Sequence, residues 1–180
     1  MVLIVEDGTV VPNADSFLSL ADARAMAANY GITLPEDDTQ AEVDLRLGYS
    51  GLLIYEPTLS GQRVSAEQTG IYPRQNAYLN CFLVADDVIP NEVKLAQLYY
   101  AGAVTSGLDV NETDDGNQLA SFEVVDVYKE SYKDSSSTSF NTRVKGAINA
   151  LNPLTKSYLS TVCGFGSGGG LYRDGMGYMP

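Results

Sequence analysis

Between Pro90 and Gly107 apolar residues recur at helical spacing on more than one side of the chain. Val93, Ala96, Tyr100, Ala103, Val104 and Gly107 keep one face, and Leu95, Leu98 and Tyr99 occupy much of the remainder. A helix that is apolar around most of its circumference has to be enclosed by other elements, so this one is expected to be central and buried on more than one side. Pro90 suits its first turn, and Glu92 favours the positive end of its dipole. With 180 residues, of which 44% are hydrophobic and 19% charged, the chain has enough material for one folded domain around such a helix.

The enclosing elements are legible at lower resolution. Ser19-Leu-Ala-Asp22 is a capping-box pattern, Leu20, Ala23, Ala27 and Tyr30 follow at helical spacing, and Gly31 is a natural stop. After Pro35-Glu-Asp-Asp-Thr39, a second stripe runs through Ala41, Leu45, Tyr49 and Leu52, weakened by Gly48 and Gly51. Residues 57–89 read as irregular, punctuated by Pro57, Gly61, Gly70 and Pro73. Phe122 to Lys133 is dense in Val, Tyr and Phe and reads as one or two strands. Val144, Ala147, Ile148 and Leu151 mark a short helix, and Asn152-Pro153 can start another carrying Leu154, Tyr158, Leu159 and Val162. The expected fold is therefore mainly α: a helical bundle with a small β element at about 119–133 and an extended Gly-rich C-terminal arm. Its organisation is a domain over 1–163, with a helical body at about 13–107 and C-terminal helices at about 142–163, followed by the arm at 164–180.

Charge and residue usage exclude several function classes. There is no histidine, which removes Ser-His-Asp and Cys-His catalytic sets and every His-ligated zinc site. Twenty-three acids against 11 bases give a net charge of −12, which argues against wrapping nucleic acid through many phosphate contacts. The acidity is uneven: residues 1–60 carry −8, residues 61–120 carry −5, and residues 121–180 carry +1. Cys81 and Cys163 form no CxxC, so a disulfide framework and a thiolate metal cluster are not expected, and Cys81 reads as a buried structural thiol in a reducing, intracellular setting. Neither a secretory signal nor a membrane span is expected. Twelve tyrosines without tryptophan suit a core or extensive partner contacts.

No motif builds an active site. Asp109 to Gly116 lacks the acid spacing of a calcium loop and reads as a solvated turn. Gly164-Phe-Gly166-Ser-Gly168-Gly169 satisfies G-x-G-x-x-G but follows a helix rather than a strand, so it reads as a flexible tail. Asp37-Asp38 and Asp86-Asp87 read as exposed turns or helix starts. No enzyme activity, metal or cofactor is implied. The tail carries Phe165, Leu171, Tyr172, Arg173, Met176, Tyr178 and Met179 among seven glycines, which suits either an arm ordering on a partner or a frayed end.

One stretch is distinctive: Ile71-Tyr72-Pro73-Arg74, then Val88-Ile89-Pro90-Asn91-Glu92-Val93-Lys94-Leu95-Ala96. Together with Asp15-Ser-Phe-Leu-Ser-Leu-Ala-Asp-Ala23, it resembles a family of tailed-bacteriophage and prophage proteins described as DnaT-like single-stranded-DNA-binding proteins, many of which are head-tail connector or adaptor proteins. The likeness covers about residues 13–107, with Tyr72 where the family usually has tryptophan and a longer apolar insert before Pro90. It implies a virion protein of the neck, made in the bacterial host cytoplasm. As an adaptor it would form a homo-oligomeric ring on the portal vertex, contact tail proteins, and pass double-stranded DNA through an acidic channel without binding it tightly. The arm residues would then meet the portal or a neighbouring subunit. Tyr72, Pro73 and Arg74 would form either a rigid loop within the monomer or a clamp between subunits. The alternative is a single-stranded-DNA-binding replication protein.

Overall fold

The computed structural model describes residues 2–108, 122–124, 128–130 and 144–164. Among these are five α-helices: α1 (Leu20–Tyr30), α2 (Asp38–Gly51), α3 (Asn91–Thr105), α4 (Lys145–Leu151) and α5 (Lys156–Val162). A 3-10 turn, Leu52–Thr58, extends α2, and another, Asn152–Leu154, joins α4 to α5. The fold is thus mainly helical with small β elements. Those elements are two-stranded antiparallel pairs: β1 (Gln62–Arg63) with β2 (Arg74–Gln75), β3 (Tyr78–Leu79) with β4 (Phe82–Leu83), and β5 (Phe122–Val124) with β6 (Tyr128–Glu130).

α3 is central, as its apolar circumference requires. Val93, Ala96 and Tyr100 enter a cluster with Phe17, Tyr49, Leu52, Leu59, Ile71, Tyr72, Leu151 and Leu154. Leu98 and Ala101 enter a second cluster with Leu3, Leu18, Ala23, Ala27 and Leu45. The glycines that weaken α2 as an isolated helix are what let it lie against α3. A Cβ on Gly48 would sit 2.6 Å from the Gln97 carbonyl oxygen, and one on Gly51 would run into the Tyr100 ring.

The caps match the sequence. Ser19 Oγ accepts from the Asp22 amide at 3.1 Å and donates to its carboxylate at 2.6 Å. Gly31 closes α1 in the left-handed region, at φ 65°. Asp37 caps α2, which accounts for the Asp37-Asp38 pair. Tyr30 departs from expectation: Ala23 and Ala27 are buried, but Tyr30 at the end of the same stripe is 53% exposed.

Three buried polar side chains fasten these parts. Gln97 is fully enclosed; its Oε1 accepts the Phe17 N–H at 2.8 Å, while Nε2 donates to Ser16 Oγ at 2.9 Å and the Leu45 carbonyl at 2.8 Å. It therefore joins the N-terminal segment, α2 and α3. The buried Glu6 carboxylate folds its own loop by accepting the N–H groups of Gly8, Val10 and Val11. Asp44 accepts from Gln40 and from Thr105 at the end of α3.

Residues 57–89, expected to be irregular, contain four of the strands. Each is two residues long, too short to show a period, and side chains rather than a ladder hold them in place.

Candidate functional site

The Tyr72-Pro73-Arg74 motif lies inside the monomer. Tyr72 is fully buried and joined to Pro73 by a cis peptide bond; Arg74 is 4% exposed. The Arg74 guanidinium donates through Nε to the Ser60 carbonyl at 2.8 Å, through Nη2 to Gly61 at 2.8 Å and through Nη1 to Ile71 at 3.3 Å. Glu56 lies 3.6 Å from it and forms a paired contact with Arg63 at 2.5 Å. All of these partners belong to the same chain.

The hydrogen bonds and charge of Arg63, with Arg74 behind it, hold the Glu56 carboxyl below the ordinary carboxylate range, against a smaller opposing effect of burial. A carboxylate with a depressed folded pKa contributes stability that is present above its unfolded value, near 4.5, and is lost as pH falls through the folded value. Glu56→Gln is therefore expected to be less stable than wild type at pH 7, with the gap closing below about pH 4. Urea denaturation at pH 7 and pH 3 measures it; an equal gap at both pH values refutes the ionic account.

Arg74 also sets the base of a hairpin. The loop it holds carries Ser60, whose N–H donates to the Leu154 carbonyl at 2.9 Å and whose Oγ accepts the Tyr78 N–H at 3.0 Å. Tyr78 begins β3, and the pairs Tyr78↔Leu83 and Leu79↔Phe82 leave Asn80-Cys81 as a two-residue turn. Both turn residues are left-handed, φ 49° and 72°, the backbone of a type I′ hairpin. Asn is favoured at the first position and Gly at the second, yet Cys81 stands there. Its sulfur is bonded to Cys163 at the end of α5, with the Cα atoms 5.5 Å apart. The expectation of an isolated, buried thiol at Cys81 is thus corrected: both cysteines are half-buried and joined across 82 positions.

The hairpin turns its apolar tip outward. Phe82 is 77% exposed and Leu83 63%, and Val162, next to Cys163, is 59% exposed. On the same short helix, the Tyr158 hydroxyl donates to Asn80 Oδ1 at 3.3 Å, and Lys156 donates to the Pro57 carbonyl. A second aromatic surface is an open groove of 610 Å³ with Tyr30 and Tyr99 at its walls and Gly102, Ala103 and Gly107 among its lining; no charged residue lines it. A larger groove of 810 Å³ is lined by Glu6, Asp7, Asp22 and Asp87, with Lys94 as its basic residue, and so repels anions.

Cations are mostly committed. Arg24 pairs with Asp38 at 2.6 Å, Arg46 with Asp15 at 2.6 Å, and Arg63 and Arg74 with Glu56. Among the described residues no arginine is left without a carboxylate, no group of three or more acids or cysteines is placed to hold a metal ion, and no helix is long and apolar enough to cross a membrane.

The sequence-predicted arm residues Phe165, Leu171, Tyr172, Arg173, Met176, Tyr178 and Met179 lie outside the described residues, as does the acidic run at 109–116. Sequence reasoning missed Phe82, Leu83 and the cysteine pairing. The available signal was Asn80 opening a two-residue turn between Tyr-Leu and Phe-Leu.

No curated protein and no solved structure matches the chain. Residues 1–170 match the family described as "Putative DnaT-like ssDNA binding protein". This match overturns the head-tail connector reading: its description is of single-stranded DNA binding, and nothing in it supports a virion neck protein, portal or tail partners, a ring of copies or a channel for double-stranded DNA. With 170 of 180 residues matched, the chain belongs to the DnaT-like single-stranded-DNA-binding protein family.

Proposed function

We propose that this protein binds single-stranded DNA, chiefly by stacking unpaired bases on exposed aromatic rings and only weakly through phosphate neutralisation. Family membership over residues 1–170 carries the reading. The charge distribution sets its form: with a net charge of −12 and the described arginines held by carboxylates, a cationic track along the backbone is not what these residues offer. Every base has a π face, so aromatic platforms bind single strands without sequence preference, each worth about 1–3 kcal/mol. Phe82 at the hairpin tip is the leading platform, and Tyr30 at the edge of its groove is the second.

Fluorescence anisotropy with labelled oligo(dT) over a salt series tests this. Saturable binding is expected whose log affinity falls with log salt by no more than about 2, since single strands give a slope of about −0.7 per neutralised phosphate. Phe82→Ala is expected to weaken binding roughly 5- to 100-fold with unchanged thermal stability. Absence of saturable binding at low salt overturns the function; a slope steeper than about −4 overturns the stacking mechanism.

A further inference from the structure

We infer that the Cys81–Cys163 disulfide is a redox latch for the Phe82–Leu83 tip: closed, it fixes the tip as a contact surface, and open, it releases both the tip and the end of α5. Cys81 occupies a left-handed turn position, φ 72°, where an L-residue is disfavoured and glycine is the usual solution. The residue there instead supplies a sulfur, so the covalent bond adds to the strand pairing and the Tyr158–Asn80 hydrogen bond in holding an otherwise unfavourable turn.

At the other end, α5 is a seven-residue helix, too short to persist without packing. Its first half is anchored: Thr155 bridges Leu59, Lys156 donates to the Pro57 carbonyl, and Leu159 is buried. Ser160, Thr161 and Val162 are exposed, and the bond at Cys163 ties down that end. Both cysteines are half-buried, so a small dithiol can reach them. In that exchange the disulfide gains two electrons and two protons to give two thiols, and the dithiol is oxidised to its own cyclic disulfide.

The consequence for DNA rests on the hairpin being the DNA-contacting surface; the conformational step does not. Full-length protein, oxidised and then treated with dithiothreitol, is compared by mass, by amide hydrogen exchange over residues 78–83 and 156–163, and by oligo(dT) anisotropy. Reduction is expected to add two hydrogens, to speed exchange in both segments about tenfold, and to weaken oligo(dT) binding roughly 5- to 30-fold, the cost of a left-handed L-residue expressed as an equilibrium ratio. Cys163→Ser is expected to match the reduced wild type and to ignore dithiothreitol. Faster exchange with no oligo(dT) binding in either state leaves the latch standing and removes the proposed ligand. The latch is overturned if the oxidised protein carries no disulfide or if exchange is the same in both states; faster exchange with oligo(dT) bound equally well before and after reduction overturns the hairpin as the DNA-contacting surface.

Discussion

Arg74→Ala is expected to lose about 3–5 kcal/mol of unfolding free energy, the largest effect of any single substitution considered. The guanidinium is buried and donates to three carbonyls, those of Ser60, Gly61 and Ile71. Removing it leaves the buried Ser60 and Ile71 carbonyls and the partly buried Gly61 carbonyl without this donor, and takes one cation from Glu56. Burial also lowers the Arg74 pKa from its ordinary value. Arg74→Lys is expected to recover less than half of the loss, because a single ammonium cannot reproduce a planar fork serving three acceptors. Urea titration at pH 7 measures both variants; a loss below about 1 kcal/mol for Arg74→Ala would refute this role. Ser60, one of those acceptors, also holds the Tyr78 amide, so oligo(dT) affinity is expected to fall together with stability.

Gln97→Leu is expected to cost about 2–4 kcal/mol, which for a chain of this size is a drop in Tm of roughly 5–15 °C. Leucine nearly fills the space, so the loss is polar: the Phe17 N–H, the Ser16 hydroxyl and the Leu45 carbonyl all lose a partner in the interior. Gln97→Glu is expected to be at least as damaging, since it replaces the donating amide with a charge in a fully enclosed site. Differential scanning calorimetry reads both. A Tm within about 2 °C of wild type for Gln97→Leu would mean that packing alone joins the N-terminal segment to α2 and α3.

The elements that could be read from the sequence are those whose local chemistry and tertiary surroundings agree. Ser19 with Asp22, Gly31, and the stripe Ala41, Leu45, Tyr49 act within a turn or two of helix, and α3 announces its central place by being apolar around most of its circumference. The strand pair at 122–130 lies within the expected β element. What was not legible depends on partners far along the chain. Asp44 and Gln97 show no sign of burial in their own stretches of sequence, and groups that folding brings to them, Thr105 for Asp44 and Phe17, Ser16 and Leu45 for Gln97, make it acceptable. The hairpin tip was hidden for a different reason: Cys81 takes a conformation against its own preference, and its bonding partner lies 82 positions away. Composition misdirected the functional reading as well. A net charge of −12 weighs against phosphate contacts but says nothing about base stacking, which needs exposed rings rather than cations.

The bond between the Phe17 amide and Gln97 also has a timing. Eighty positions separate the two residues, and at roughly 5–20 residues per second a ribosome takes about 4–16 s to lengthen the chain from one to the other. During that interval α1 and α2 have emerged without the helix that encloses them, and their apolar stripes are open to chaperones and proteases. The yield of this protein in a cell is therefore expected to depend on how quickly translation reaches α3, and synonymous slow codons between residues 52 and 97 should lower it without changing a single side chain.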